Sequence, residues 1–249
     1  MSSFGESKAF KYFEDNSKDF VKYNCKQISR IYPGAKRQDS SNLKVLPCFN
    51  SGCQIGEFPL IVTFSTSSSI MIGLCFSVAL NYQTEDKQNF YNRSKFADNG
   101  SCGYLLKAAF LRYPSNYSPN TPSGLDTSIF PTWQLKITII SGQHIPRPAG
   151  EDKEIIDPYV KVRIRGHPDD EVDTDDKGDK SKKNRGRTEH VSNNGFNPVW
   201  NESYEFDIKV VDLALLEFKV KDHSKTGKDK VLGAFCCSLK SIQEGMSFF

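Results

Sequence analysis

Apolar residues recur every three or four positions along the first part of the chain. The residues that form this stripe are Ala9, Phe10, Phe13, Phe20, Val21, Cys25 and Ile28. The spacing predicts amphipathic helices, and the polar residues 15–17 divide them into two, with Asn16 or Ser17 capping the second. Residues 29–32 follow as a short predicted strand, which ends at Pro33.

The periodicity changes in the second half of the chain, where apolar and polar residues partly alternate in short runs between turn signals. These runs span residues 134–140, 159–165, 204–210, 215–220 and 232–236. Such runs predict strands, and several short strands in succession indicate an antiparallel sandwich. Residues 114–131, rich in proline and serine, predict a linker between a first domain (1–113) and a second domain (132–249).

One long stretch, residues 58–84, carries no charged side chain. A run of this length is long enough to cross a bilayer, so a membrane anchor over residues 58–80 is one alternative. Pro59, Gly73 and several serines and threonines weaken that interpretation, as does the lack of flanking basic residues.

Composition and charge narrow the possible functions. The chain has 249 residues, of which 33 are Lys or Arg and 30 are Asp or Glu, so its formal net charge is only +3. This balance excludes a uniformly basic nucleic-acid coat, and we predict no nucleic-acid partner. The seven cysteines lack CxxC spacing, which argues against a zinc site or a disulfide scaffold and favours the cytoplasm. The polar start of the chain predicts no signal peptide.

Motifs of the first half occur in a recognisable order. They are SSFGESKA (2–9), SRIYPGAKRQDSSN (29–42), NSGCQ (50–54), VALNYQT (78–84) and GYLLK (103–107). Together they resemble the Y box of phosphoinositide-specific phospholipase C, which in that family is the second half of a TIM-like barrel.

The second half resembles the C2 domain that follows the Y box. The matching motifs are ISGQHIPRP (140–148), EIIDPYVKV (154–162), NNGFNPVW (193–200) and DLALLEFKVKD (212–222). The resemblance implies an α/β half of a TIM-like barrel followed by an all-β antiparallel C2 sandwich. Against the family pattern, residues 56–77 are expected to be a hydrophobic insert, and the C2 domain to be truncated at its C-terminus.

The resemblance implies that Ser3, Arg30 and Tyr32 bind the substrate. Arg30 and Tyr32 are two residues apart on one predicted strand, so their side chains lie on the same side. A guanidinium donates two hydrogen bonds to a phosphate at once, and a tyrosine ring packs against a sugar. The alternative is that Arg30 pairs with a structural carboxylate while Tyr32 fills the core.

The family's catalytic groups are missing from this chain. The resemblance assigns acid–base catalysis to two histidines, and calcium binding to carboxylates and an asparagine, all in the X half of the barrel. The four histidines here are His144, His167, His190 and His223, all in the second half of the chain. We therefore expect no catalytic residue in this chain, which alone would be inactive. Joined to an X half, it would take part in the hydrolysis of phosphatidylinositol 4,5-bisphosphate to diacylglycerol and inositol trisphosphate in intracellular signalling.

A second calcium site is implied in the C2 half. Its ligands would be the Ile155 carbonyl, Asp157, Asn193 and Asp222. Ser224 and Lys230 stand where the delta-type pattern has further aspartates, and a calcium ion needs six to eight oxygens, several of them anionic, so this site is expected to be weak. The alternative is that Asp157 and Asp222 cap their loops.

A basic strand face provides another route to the membrane. Five cations are predicted to contact anionic lipid: Lys161, Arg163, Arg165, Lys219 and Lys221. A solvated outer sheet face is the alternative. The expected location is cytoplasmic and peripheral at membranes. A non-catalytic phospholipid-binding or scaffold protein, built from the same modules, is the second functional hypothesis.

Overall fold

The computed structural model describes most of the chain. The described residues are 1–34, 41–56, 75–78, 80, 82, 86–113, 116–119, 130–148, 155–171, 185–224 and 227–245. Most of the residues on which the predicted anchor (58–80) and insert (56–77) depend therefore lie outside the described part. Of the helices that are described, none is long and apolar enough to cross a bilayer.

Strands and helices alternate in the first half. The elements are β1 (Ser2–Gly5), α1 (Glu6–Asp15), α2 (Ser17–Lys26), β2 (Ser29–Tyr32), α3 (Val45–Asn50), β3 (Ile55–Gly56), β4 (Cys75–Val78), α4 (Lys87–Phe96), β5 (Leu105–Leu106) and α5 (Ala109–Arg112). The strands form one sheet in the order β1-β2-β3-β4-β5. The first three pairings are parallel, whereas β5 pairs antiparallel with β4. Parallel strands linked by helices that cover the sheet are typical of an α/β half-barrel.

The predicted helical stripe is the buried face of the first two helices. Ala9 and Phe13 of α1 are buried, as are Phe20 and Val21 of α2, because residues three or four apart share one side of a helix. The predicted break is confirmed, since α1 ends at Asp15 and α2 begins at Ser17. Neither helix has a side-chain hydrogen bond at its N-cap.

Helix α4 begins with an aspartate cap. The Asp86 Oδ1 atom accepts hydrogen bonds from the backbone N–H groups of Gln88 and Asn89, both at 2.9 Å. These N–H groups have no partner within the helix, so the cap satisfies them. The other oxygen of Asp86 accepts from the backbone N–H of Asn42, which ties the start of α4 to the segment before α3.

The second half is an antiparallel sandwich, as predicted. Its strands are β6 (Trp133–Ser141), β7 (Pro158–Arg165), β8 (Arg185–Arg187), β9 (Val199–Ile208), β10 (Leu215–Asp222) and β11 (Lys230–Ser238). One sheet has the order β11-β10-β7-β8, and the second pairs β6 with β9. The side chains buried between the sheets include Val162, Ile164, Phe206, Ile208 and Leu216. Each of the five predicted strands coincides with or overlaps an observed one.

The two halves pack directly against each other. The Asn50 side chain donates to the carbonyl oxygen of Gly166 at 2.6 Å, and Lys95 Nζ donates to that of Asp212 at 2.7 Å. Gly166 has a φ of +144°, and a Cβ atom there would lie 2.5 Å from the Leu213 carbonyl oxygen. Only glycine allows the backbones of Gly166 and Leu213, both in the second half, to approach so closely, so Gly166 is required where this half accepts the hydrogen bond of Asn50.

Parts of the predicted linker also belong to the packed structure. Tyr117 and Phe130 are buried, and their rings lie 4.6 and 5.0 Å from the ring of Phe110 in the first half. His167 of the second half is fully buried, and its Nε2 atom lies 3.1 Å from the Ser118 carbonyl oxygen. These segments therefore join the two halves through core contacts.

Candidate functional site

The three predicted substrate-binding residues lie on two neighbouring strands. Ser3 of β1 is the direct partner of Arg30 on β2, and Gly5 is the partner of Tyr32. Because the strands are parallel, paired residues point to the same side of the sheet, so the three side chains share one face. Ser29 and Ile31 alternate with them and point into the core, where both are fully buried.

The solvent exposure of Tyr32 distinguishes its two interpretations, which are substrate binding and filling of the core. Its side chain is 40% exposed, so it does not fill the core. The ring packs over Gly5, where a Cβ atom would lie 3.5 Å from it. Ser3 is exposed and Arg30 is half-buried. An exposed hydroxyl, a guanidinium and an open aromatic face are together suited to a phosphorylated sugar.

A buried polar network holds the strand that carries this site, and the sequence patterns did not reveal it. Gln54 Oε1 accepts from the backbone N–H of Ser29 at 3.0 Å, and the Ser29 hydroxyl donates to Asn24 Oδ1. Lys107 Nζ donates to the carbonyl oxygen of Asn24 at 3.0 Å. All four side chains are buried, so hydrogen bonds such as these must offset the cost of desolvating them. The available signal was that Gln54, Lys107 and Ser29 each belong to a recognised motif, namely NSGCQ, GYLLK and SRIYPGAKRQDSSN.

The predicted C2 calcium residues come together in the structure. Asp157 Oδ1 accepts from the backbone N–H of Asn193 at 2.6 Å, and Asp222 Oδ1 accepts from the backbone N–H of Asp157 at 2.8 Å. Asn193 has a left-handed φ of 54°, a conformation that asparagine adopts more readily than most residues. Ile155 precedes Asp157 by two residues and has an exposed side chain.

A third carboxylate, that of Asp229, lies at the same end of the sandwich and was missed. Its Oδ2 atom accepts from the Tyr159 hydroxyl at 2.5 Å, and its Oδ1 atom accepts from the backbone N–H of Ser224 at 3.0 Å. Burial alone would raise the pKa of Asp229, but these hydrogen bonds and nearby cations lower it below its ordinary value. The sequence signal was an aspartate just before the strand that begins at Lys230.

The three carboxylates take part in hydrogen bonds within the protein. Each accepts at least one such bond, and calcium binding by the Ile155 carbonyl, Asp157, Asn193 and Asp222 stays a prediction. Across the described ranges, no group of three or more His, Cys, Asp or Glu side chains is placed to hold a metal ion. The arrangement agrees with the alternative in which Asp157 and Asp222 secure their loops.

The structure contradicts part of the predicted basic face. Lys161 and Arg165 are each only 3% exposed, so they are not available to a membrane, and for these two residues the prediction is wrong. Arg163, Lys219 and Lys221 are half-buried, and their contact with lipid stays a prediction.

For Arg165, the physical reason is a buried ion cluster between the two halves. Glu217 on β10 is 1% exposed; its carboxylate lies 3.5 Å from Arg165 Nε and 2.7 Å from Lys219 Nζ. The hydroxyl of Tyr91, from α4 of the first half, donates to the same carboxylate at 3.1 Å. The strand face that the alternating pattern predicted to contact lipid is therefore partly covered by the first half of the chain.

The fold and the site together define a class of protein. A helix-covered half-barrel followed by an antiparallel sandwich is the arrangement of a phospholipase C Y domain and its C2 domain. The family model for the phosphatidylinositol-specific phospholipase C Y domain matches residues 1–60 and 62–110, and that for the C2 domain matches residues 133–248. The chain belongs to the phosphoinositide-specific phospholipase C family, of which it carries the Y and C2 domains. The predicted resemblance and fold class are thus confirmed.

Relatives of two types match the chain. It is 37% identical to 1-phosphatidylinositol 4,5-bisphosphate phosphodiesterase eta-1 of Mus musculus over 233 residues, which cover 92% of this chain and 12% of that protein. It is 34% identical to the delta-1 enzyme of Homo sapiens, over 98% of this chain and 28% of that protein. The crystal structure of S. officinalis PLC21 superposes with a TM-score of 0.70 at 31% identity, covering 96% of this chain and 26% of that one. The chain therefore spans 12% to 28% of these relatives.

Proposed function

We propose that this chain is the substrate-binding and membrane-binding portion of a phosphoinositide phospholipase C. Together with an X half of the barrel, it would hydrolyse phosphatidylinositol 4,5-bisphosphate to diacylglycerol and inositol trisphosphate in intracellular signalling. The observation that carries the proposal is the shared face of Ser3, Arg30 and Tyr32 on two paired strands. The names of the relatives, which are phosphodiesterases of this lipid, support the choice of substrate.

Each of the three residues has a binding role in the proposed site. The Arg30 guanidinium donates hydrogen bonds to a ring phosphate, the Ser3 hydroxyl adds a further donor, and the Tyr32 ring packs against the inositol. Calcium, which the resemblance assigns to the X half, would stabilise developing negative charge there when bound. Because no histidine occurs before His144, the imidazoles for acid–base catalysis must also come from the X half.

The proposed location follows from the C2 half. A C2 domain without its own catalytic groups serves to hold the barrel at an anionic membrane surface, so we assign the chain to the cytoplasmic side as a peripheral protein. Its partners are then the phosphoinositide, anionic lipid and the X half.

Reconstitution with an X half tests the hydrolytic proposal. The chain is co-expressed with the X half of a delta-type relative, and release of inositol trisphosphate is measured. Arg30→Ala should lower kcat/KM about 100-fold, since two charge-assisted hydrogen bonds are lost. Lys26→Ala, which removes an exposed cation at the end of α2, should leave activity unchanged. A folded pair without activity, or an Arg30→Ala variant as active as Lys26→Ala, would contradict the proposal.

The second candidate is a non-catalytic phospholipid-binding protein built from the same two modules. The observation that favours it is the absence of histidine from residues 1–143. In that case the reconstituted pair would bind phosphoinositide vesicles without releasing inositol phosphate, and Arg30→Ala would leave vesicle binding unchanged.

A further inference from the structure

The strand that carries Arg30 and Tyr32 has different support at its two ends. At its start, Gln54 accepts a hydrogen bond from the backbone N–H of Ser29. Strand β3 pairs with the two residues before Tyr32, and in the described part of the chain Tyr32 itself pairs only with Gly5 of β1. Because strand ends fray readily, an exposed side chain on the last residue needs a further contact to keep one orientation.

Glu6 provides a contact just beyond this end of the strand. Strand β1 leads directly into α1, since Gly5 is the last residue of the strand and Glu6 is the first of the helix. The Glu6 Oε2 atom accepts a hydrogen bond from the backbone N–H of Gly34 at 3.2 Å. Gly34 lies two residues after Tyr32, so the first helix is bonded to the segment that leaves the site strand.

Pro33 makes this contact effective, because it lies between Tyr32 and Gly34. Its ring fixes its own φ at about −65°, and it restricts the preceding residue to extended conformations. Tyr32 is the last residue of β2 and has such a conformation. Since both residues are stiff, fixing the N–H group of Gly34 also fixes the direction in which the backbone leaves Tyr32.

The Tyr32 ring rests on the same corner between β1 and α1. A Cβ atom on Gly5 would lie 3.5 Å from this ring, so the ring packs directly over the residue that precedes Glu6. The corner is itself anchored in the core, because the Phe4 ring packs edge-on against the Phe20 ring at 5.5 Å. The aromatic ring and the backbone after it therefore both contact one rigid corner.

The charge of Glu6 favours this indirect role over direct contact with a phosphate. A carboxylate beside a phosphate-binding face would weaken binding, because like charges repel. Glu6 lies in the first turn of α1, where the partial positive charge of the helix N-terminus stabilises a carboxylate. The N–H group of Gly34 also donates to it, so these two partners offset its negative charge.

We infer that Glu6 is a positioning residue for the proposed phosphoinositide site, and that its carboxylate holds the segment after β2 so that Tyr32 presents its ring to the inositol. The inference rests on the proposed function and adds to Ser3, Arg30 and Tyr32 a residue that does not touch the substrate. Loss of Glu6 should weaken substrate binding and leave the chemical step unchanged, because the reacting groups belong to the X half.

Hydrogen exchange tests the contact in the full chain without an X half. Exchange of the Gly34 amide is followed by NMR, and Glu6→Ala should accelerate it about tenfold. Glu6→Gln keeps an oxygen acceptor and should exchange at about the wild-type rate. The control, Glu14→Ala, removes an exposed carboxylate from the other end of α1 and should have no effect. Thermal unfolding checks that each variant is folded. Equal exchange in Glu6→Ala and the wild type would overturn the inference.

Kinetics of the reconstituted pair test the consequence for the substrate. Glu6→Ala should raise KM about tenfold and leave kcat within about twofold of the wild type. Glu6→Gln and Glu14→Ala should keep both constants. A Glu6→Gln variant as impaired as Glu6→Ala would overturn the inference, since charge rather than a hydrogen-bond acceptor would then be required. A loss confined to kcat would also overturn it, because Glu6 would then act on the reacting atoms.

The inference and the proposed function fail separately. A folded wild-type pair without turnover contradicts the proposed function, whatever the exchange rate of Gly34. An active pair that loses turnover in Arg30→Ala, and whose Gly34 exchange and KM do not change in Glu6→Ala, supports the proposed function and overturns the inference alone.

Discussion

Replacing Glu217 by glutamine should destabilise the whole chain through the buried ion cluster. The substitution preserves shape and removes the charge opposite Arg165 and Lys219. Removing one partner of a buried ion pair lowers the free energy of unfolding by about 3–5 kcal/mol, because the remaining charge stays desolvated. Arg165 keeps a second carboxylate, Glu171, at 3.7 Å, so the lower limit of about 3 kcal/mol is expected.

Urea unfolding measures this effect. For a chain of this size the free energy of unfolding changes by roughly 3 kcal/mol per molar urea, so the midpoint for Glu217→Gln should fall by about 1 M. The control is Glu205→Gln, which breaks an exposed pair with Lys136 at 3.7 Å and should cost less than about 0.5 kcal/mol. If both variants shifted the midpoint equally, the argument that this cluster is buried and joins the two halves would be refuted.

The pH dependence provides a second readout of the same residue. Burial raises the pKa of Glu217, but the hydrogen bond and charge of Lys219, together with Arg165 and Tyr91, lower it below its ordinary value overall. The unfolded chain therefore takes up the proton first as the pH falls. The stabilisation is fully present above about pH 4.5 and is lost as the pH falls through the lowered pKa, and Glu217→Gln should lack this loss.

Two further predictions concern other buried polar groups. Burial lowers the pKa of His167, against the opposing effect of its hydrogen bond to the Ser118 carbonyl oxygen, so stability should fall as the pH drops below about 6.5. His167→Gln should flatten this part of a stability–pH curve, whereas the exposed His144→Gln should leave it unchanged. Gln54→Ala leaves the buried N–H of Ser29 without its acceptor and should cost about 1–3 kcal/mol in urea unfolding. A cost below about 0.5 kcal/mol would show that the Gln54 hydrogen bond does not support the strand.

The local pattern of apolar and polar residues was sufficient to predict most of the individual helices and strands. The apolar stripe of residues 9–28 became the buried faces of α1 and α2, because helical periodicity depends only on neighbours along the chain. The alternating runs became strands of the sandwich for the same reason. The motif order identified the family, and it placed Arg30 and Tyr32 on one strand face, since side chains two residues apart always share a side.

Solvent exposure was decided by tertiary packing. The alternating pattern placed Arg165 on an exposed face of β7, but in the folded chain Tyr91 of α4 and the carboxylate of Glu217 make the part of that face around Arg165 an interior. A local sequence pattern cannot predict which element will cover a sheet face. Here the covering residue is Tyr91, which is far from β7 in the sequence. The same reason explains how residues 117 and 130 of a proline-rich segment came to be buried.

The sequence by itself determined the family, the two-part architecture and the residue types available to bind a phosphate. Only the tertiary structure brought Asp229 beside Tyr159, tied the loop carboxylates to backbone N–H groups of other loops and left Phe196 exposed. Periodicity and motif spacing reflect forces between residues near in the chain. Metal affinity, burial of charge and lipid contact depend instead on atoms brought together from distant segments, whose distances exist only once the chain has folded.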